Sequence, residues 1–301
     1  MRITKTIEET RAARGGMTGL ALMPTLGAMH EGHRALIRRA RELADHVAVS
    51  IFVNPTQFGP SEDFESYPRP LEDDLAMCRG ESVDLVFVPT VEEMYPADEA
   101  AVAIEVPSLG GMLEAAHRPG HFAGVCGVVA KLFGIVRPDV AVFGEKDYQQ
   151  LKVIEALAAG LCLGVKIEAC ATVRDADGLA LSSRNVNLSD GQRRDALGLS
   201  RSMAEAERLV VAGERDPGVI EGAMRGVLEA HQVAVDYAVV RDAACLGVLE
   251  AVDLRAGAAV CLVAGRVGEV RLIDQKVLGC WVEGGWDRRN GCNWGPMAIG
   301  C

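Results

Sequence analysis

The chain holds 301 residues, 49% hydrophobic and 24% charged, with 33 Gly and 12 Pro. That composition excludes a disordered, collagenous or small disulfide-stapled protein, and the length gives room for two domains. A net charge of −11 is the opposite of what a polyanion-gripping surface carries, so no nucleic-acid partner is expected.

The first residues alternate charges and lack the apolar stretch of a secretory signal. No apolar run approaches the roughly 18–20 residues that a helix needs to cross a bilayer, so no membrane partner is expected either. The nine Cys include no C-x-x-C pair, which speaks against a disulfide framework or a zinc ribbon. A cytoplasmic setting is the expectation.

Through the first 175 residues, short β-rich runs alternate with longer amphipathic stretches. Strands are predicted over 18–23, 46–53, 83–88, 139–143 and 165–172, and helices over 31–44, 70–79, 122–136 and 148–159. This alternation implies α/β architecture: a Rossmann-like, doubly wound parallel sheet with helices on both faces. The texture changes after Arg184. A helix starting at Ser189-Asp190, a second over 219–231 and strands over 233–240, 258–263 and 269–273 predict a smaller α+β C-terminal domain. The expected division is 1–178 for the catalytic domain, 179–279 for a lid domain and 280–301 for a tail. That tail packs five Gly, three Cys and all three Trp into 22 residues. It is expected to be disordered and dispensable, because glycine at such density opposes regular structure; the alternative is a packed tail, in which three docked Trp would bury a large apolar area.

In open parallel sheets ligands bind beyond the carboxyl ends of strands, so the loops there carry the chemistry. The first predicted strand runs into Met23, Pro24, Thr25, Leu26, Gly27, Ala28, Met29, His30, Glu31, Gly32 and His33. A small-residue turn opening a helix is expected to present free backbone N–H groups and a positive dipole end to a phosphate. His30 and His33, three apart, would share one helix face and converge on one anion. About 0.01 occurrences of H-x-G-H are expected by chance at this composition, so two unrelated surface histidines are the weaker reading. The pattern marks the nucleotidyltransferase and class I aminoacyl-tRNA synthetase superfamily.

The second strand ends in Asn54-Pro55-Thr56-Gln57, whose amide can donate and accept toward a polar ligand, although a plain Asn-Pro turn would look the same. Further strand-to-helix junctions follow. Gly144-Glu145-Lys146-Asp147 precedes Tyr148-Gln149-Gln150, with Lys146 placed to neutralise phosphate charge or simply to join a solvated charge cluster. Leu181-Ser182-Ser183-Arg184 offers two hydroxyls and a guanidinium, as a phosphate clamp or a polar interdomain linker.

Taken together, the blocks MPTLGAMHEGH, NPTQFGPSEDFESYPR, RPGHF, FGEKDYQQ and LSSRN resemble the pantothenate synthetase (pantoate–β-alanine ligase) family from about residue 1 to 278. The resemblance implies ATP-dependent joining of pantoate to β-alanine through a pantoyl adenylate, releasing AMP and pyrophosphate. It implies that Met23–His30 and Gly144–Asp147 hold ATP, that the Val173 backbone lies near the adenine, and that Leu181–Arg184 closes on the triphosphate. His30 would be the catalytic proton donor, His33 its partner and Lys146 a stabiliser of the pentavalent phosphorus. Gln57 and Gln150 would bind pantoate, Gln57 lying also beside β-alanine. Mg²⁺ would bridge the phosphates with no all-protein cage, and the enzyme would be a homodimer.

Two positions depart from the family's pattern: Leu26 stands where Met is usual, and Ala115 where Gly is common. A nucleotidyltransferase acting on a phosphorylated substrate would share H-x-G-H but would have no need of the Gln57/Gln150 pair. A P-loop kinase is disfavoured by the lack of G-x-x-x-x-G-K-[ST], and an RNA-binding module by the acidic charge.

Overall fold

The computed structural model describes residues 1–60, 62–254 and 258–279, with the backbone of Trp281–Val282 and Gly285–Trp286. The chain divides into two compact units, one of residues 1–173 and 181–183, the other of residues 174–180 and 184–301. Apart from an antiparallel pairing of Trp281–Val282 with Gly285–Trp286, the tail expected to be disordered lies outside the described residues.

The first unit begins with strand β1 (Arg2–Thr4) and helix α1 (Ile7–Arg14). Neither is among the predicted elements, although Thr6-Ile7-Glu8-Glu9 carries a helix-start signature. Thr6 caps the Glu9 N–H while the Glu9 side chain returns to the Thr6 N–H. Then come β2 (Leu20–Thr25), α2 (Glu31–Leu43), β3 (His46–Ile51), a 3-10 turn at Pro55–Gln57, α3 (Leu71–Gly80) and β4 (Leu85–Phe87). Two single-turn helices, α4 (Val91–Met94) and α5 (Glu114–His117), precede α6 (His121–Val136). The unit continues with β5 (Val140–Gly144), a 3-10 turn at Glu145–Asp147, α7 (Tyr148–Gly160) and β6 (Lys166–Cys170).

All six strands are parallel, in the order β1-β4-β3-β2-β5-β6. Leu20, Ala21, Leu22 and Met23 are wholly buried, as expected for a central strand covered on both faces. From β2 the chain winds outward through β3 and β4, then restarts on the other side of β2 with β5. The switch point therefore lies between the carboxyl ends of β2 and β5, where open α/β sheets bind ligands.

The second unit holds α8 (Asp190–Val211), α9 (Pro217–Ala230) and the antiparallel sheet β7 (Ala234–Asp242), β8 (Ala259–Val267) and β9 (Val270–Leu278). Ser189 and Gln192 form a capping box at the start of α8, and Asp216 followed by Pro217 starts α9. Met203, Ile220, Met224, Leu228, Val240 and Val263 centre its core. β9 runs five residues beyond its predicted end at 273. Buried Asp274 and Gln275 interrupt the apolar pattern there, and the Asp274 carboxylate accepts two hydrogen bonds from Arg174 at 2.6 and 2.9 Å.

Candidate active site

The turn leaving β2 is closed by its own side chains. Gly27 (φ +94°) and Ala28 (φ +50°) are both left-handed, which reverses the chain within two residues. The Gly27 N–H donates to Thr25 Oγ1 at 3.0 Å. The N–H groups of Ala28 and Met29 donate to the two oxygens of Asp74, on α3, at 2.9 and 2.7 Å. The His30 N–H donates to His33 Nδ1 at 3.2 Å, and the Gly32 N–H to His30 Nδ1 at 3.1 Å. The expectation of free backbone N–H groups here is therefore corrected for Gly27, Ala28, Met29, His30 and Gly32, whose amides are already satisfied within the turn.

The relation of the two histidines is corrected as well. His30 is not on the helix; it is the extended N-cap residue (φ −136°), and His33 sits at the third helical position. They form a capping box built from imidazoles, with ring centroids 4.2 Å apart. Because each Nδ1 accepts an N–H, each ring carries its proton on Nε2. His33 Nε2 lies 3.3 Å from Thr25 Oγ1. Burial, reinforced by the charges of His30 and Lys146, pushes the His33 imidazole down to about 3, so it is neutral at physiological pH. The glycine of H-x-G-H has a steric reason: a Cβ on Gly32 would stand 2.8 Å from His30 Cε1.

One strand outward, after β3, Asn54 is wholly buried and organises the next turn. Its Nδ2 donates to Gln57 Oε1 at 3.0 Å and to the Gly124 carbonyl at 3.2 Å. Its Oδ1 accepts from Tyr95 Oη at 2.8 Å and Thr56 Oγ1 at 3.0 Å. With its oxygen held inward, Gln57 keeps its Nε2 donors without a partner among the described residues. The backbone of Gln57 is fixed too, since its carbonyl accepts from His121 Nδ1 at 2.8 Å. Burial, then the Arg118 guanidinium, pushes the His121 imidazole down to about 4. Neutral His121 Nε2 can then accept from Arg118 Nη1 at 3.0 Å, while Arg118 grips both oxygens of Glu62 at 2.7 and 2.6 Å. Helix α6 approaches this turn so closely that a Cβ on Gly124 would meet the Thr56 carbonyl oxygen at 2.2 Å.

On the other side of β2, the Glu145–Asp147 turn places Lys146 with Nζ 3.9 Å from Asp147 Oδ2 and close enough to bias His33. The adjacent glutamines at the start of α7 part company. Gln149 is buried, accepting from the Glu114 N–H at 2.8 Å and donating to the carbonyls of Leu109 and Met112 at 2.8 and 2.9 Å. Gln150 is partly exposed, and its side chain makes no hydrogen bond to the described residues.

Leu181, Ser182 and Ser183 belong with the first unit, where the Leu181 N–H donates to the Val173 carbonyl at 3.0 Å. Leu181 Cβ would lie 3.8 Å from a Cβ on Gly32, beside the histidine pair, and Ser183 Oγ is 3.5 Å from Tyr67 Oη. Arg184 falls with the second unit. Met23 packs wholly within the core beneath the turn. Of the two departures, Ala115 lies buried in α5, and the left-handed residue of that loop is Leu113 (φ +51°). Asn54, Asp74, Arg118 and His121 are not among the predicted site residues. The NPTQ and RPGH blocks contain three of them, but nothing in the sequence ties Asp74 to Ala28 and Met29.

A switch point flanked by an imidazole pair and a lysine-bearing turn defines an α/β enzyme of the H-x-G-H nucleotide-binding class. The chain belongs to a particular family within it: the profile of the Pantoate-beta-alanine ligase family matches residues 2–277. It is 50% identical over 274 residues to the pantothenate synthetase of Acidothermus cellulolyticus, covering 90% of both chains. It is 49% identical over 282 residues to that of Thermobifida fusca, covering 90% of this chain and 94% of the relative. Among solved structures, pantothenate synthetase from Thermus thermophilus superposes with a TM-score of 0.85 at 42% identity, covering 92% of this chain and 99% of that one. The Francisella tularensis pantoate-beta-alanine ligase, described as complexed with beta-gamma ATP and beta-alanine, gives 0.76 at 31% identity and covers 92% and 97%. Among the described residues no helix is long and apolar enough to cross a membrane.

Proposed function

We propose that the site joins pantoate to β-alanine at the expense of ATP in two steps. The pantoate carboxylate attacks the α-phosphorus of ATP, giving pantoyl adenylate and pyrophosphate. The neutral amine of β-alanine then attacks the acyl carbon and expels AMP. The chemistry needs no covalent nucleophile from the chain, whose work is alignment, charge stabilisation and exclusion of water from the adenylate.

The observation that carries this reading is the imidazole capping box at the switch point, flanked by Lys146 beyond β5 and Gln57 beyond β3. His30, protonated on Nε2, donates to an α-phosphoryl oxygen as charge develops. His33 stays neutral and orients it through the His30 N–H. Lys146 adds positive charge at phosphorus. The Nε2 donors of Gln57 hold pantoate and lie beside β-alanine, and Gln150 supplies a second amide. Met23–His30 and Gly144–Asp147 line the nucleotide, the Val173 backbone meets the adenine, and Leu181, Ser182, Ser183 and Arg184 clamp the phosphates.

Mg²⁺ bound to ATP would supply neutralisation of charge on the phosphates. The donor set suits a metal carried by the nucleotide. Both Asp74 oxygens are occupied by backbone amides, and among the described residues no three His, Cys, Asp or Glu converge on one point. The family resemblance supports a homodimer, and the cysteine pattern a cytoplasmic setting.

The deciding experiment incubates the protein with ATP, Mg²⁺, pantoate and β-alanine and identifies the products. AMP with pantothenate supports the reading. A dinucleotide-like product, or ADP, overturns it.

A further inference from the structure

The turn that carries His30 is bonded to a carboxylate from a helix 46 residues further along the chain. Asp74 is 2% exposed, and each of its oxygens accepts one N–H, from Ala28 and from Met29. Two consecutive N–H groups converging after left-handed residues form an anion-binding nest. Here the nest is filled by the protein's own carboxylate. The fit is close, since a Cβ on Gly27 would lie 3.0 Å from Asp74 Oδ2. Ala28 holds its left-handed backbone without being glycine, a conformation that persists only where its surroundings over-determine it.

We infer that Asp74 is a positioning residue for adenylate formation: it fills the nest after β2, fixes the direction in which His30 presents Nε2, and leaves the phosphates to side chains rather than to the Ala28 and Met29 amides. The inference rests on the proposed role of His30 but concerns a different residue. No substrate contact is assigned to Asp74. Displacing a reacting group by about 1 Å can cost on the order of 10²-fold in rate, and loss of one nest acceptor permits a displacement of that size.

The test has a wild-type arm and a variant arm. In the wild-type protein, the Ala28 and Met29 amide protons should resonate downfield and exchange slowly. Adding ATP should move the His30 imidazole signals while leaving those two amides nearly in place. If these amides move most, the phosphates bind the nest and the inference falls, whether or not any variant folds. In Asp74→Asn, pantoate-dependent pyrophosphate–ATP exchange should slow by roughly 10²-fold with the KM for pantoate little changed. Made in a His30→Ala background, the same substitution should cost less than about threefold, because residues acting through one another are not additive. Full additivity, or an unimpaired Asp74→Asn enzyme, overturns the positioning role alone. Absence of exchange in the wild type would instead overturn the reading of the site.

Discussion

The turns after β2 and β3 occupy neighbouring strand ends, yet they are built in opposite ways. After β2 the backbone is satisfied by side chains: Thr25, His30 and His33 each take one N–H and Asp74 takes two, and the side chains at the head of the helix are imidazoles. After β3 a side chain is satisfied by other side chains and backbone: Asn54 holds the oxygen of Gln57, His121 holds its carbonyl, and an amide's donors are presented. The first arrangement suits charge developing at phosphorus. The second suits recognition of a neutral hydroxyl and a carboxylate. Damage to the first should therefore appear in the rate of the chemical step, and damage to the second in the affinity for pantoate.

The largest effect is expected from His30→Ala, which should slow adenylate formation by about 10²–10³-fold, the range for loss of one transition-state donor. Single-turnover kinetics on a protein with an unchanged melting curve measures it, and near-normal turnover would reduce His30 to a helix cap. Next comes a paired substitution on α7. Gln150→Ala should raise the KM for pantoate by an amount equivalent to roughly 1–3 kcal/mol while sparing ATP. Gln149→Ala removes three hydrogen bonds to the 109–114 segment and should instead lower the melting temperature. Equal effects on both substrates at Gln150 would place pantoate elsewhere.

Gly124→Ala drives a methyl group into the Thr56 carbonyl. Overpacking of this kind costs about 1–3 kcal/mol, and the displaced Asn54–Gln57 turn should weaken pantoate binding without changing pyrophosphate release at saturation. Urea titrations and saturation kinetics separate the two effects.

The smallest effect per pH unit is electrostatic. The folded-state affinities of His33 and His121 for protons are depressed, to about 3 and about 4. Below the ordinary histidine value near 6.5 the unfolded chain binds protons that the native state refuses, so stability falls as pH drops from about 6.5 toward 4. The slope should reach at most about 1.4 kcal/mol per pH unit for each histidine. Replacing either one should flatten it in urea-denaturation curves. A slope unchanged by both replacements would mean that these rings take up protons in the folded protein as readily as in the unfolded chain.

The alternation of strands and helices through the first unit is legible in the sequence because periodicity and turn residues are local signals. The central strands are clear for that reason. β1 and α1 escape the pattern because an edge strand of three residues carries little of it and α1 is short and largely exposed. The end of β9 escapes it because Asp274 reads as a strand breaker until Arg174 is seen against it, 100 residues away in sequence. At the site, the H-x-G-H turn and the glutamines can be named from residue type and spacing. What cannot be read is which hydrogen-bonding groups the fold has already used. Neither the occupied amides at Ala28 and Met29 nor the division of labour between Gln149 and Gln150 has a sequence signature.

Activation of pantoate precedes attack by β-alanine. Labelled pyrophosphate should therefore exchange into ATP when the protein is given ATP, Mg²⁺ and pantoate with no β-alanine, and the exchange should stop when pantoate is withheld. Exchange that appears only after β-alanine is added would mean a concerted reaction with no free-standing adenylate step.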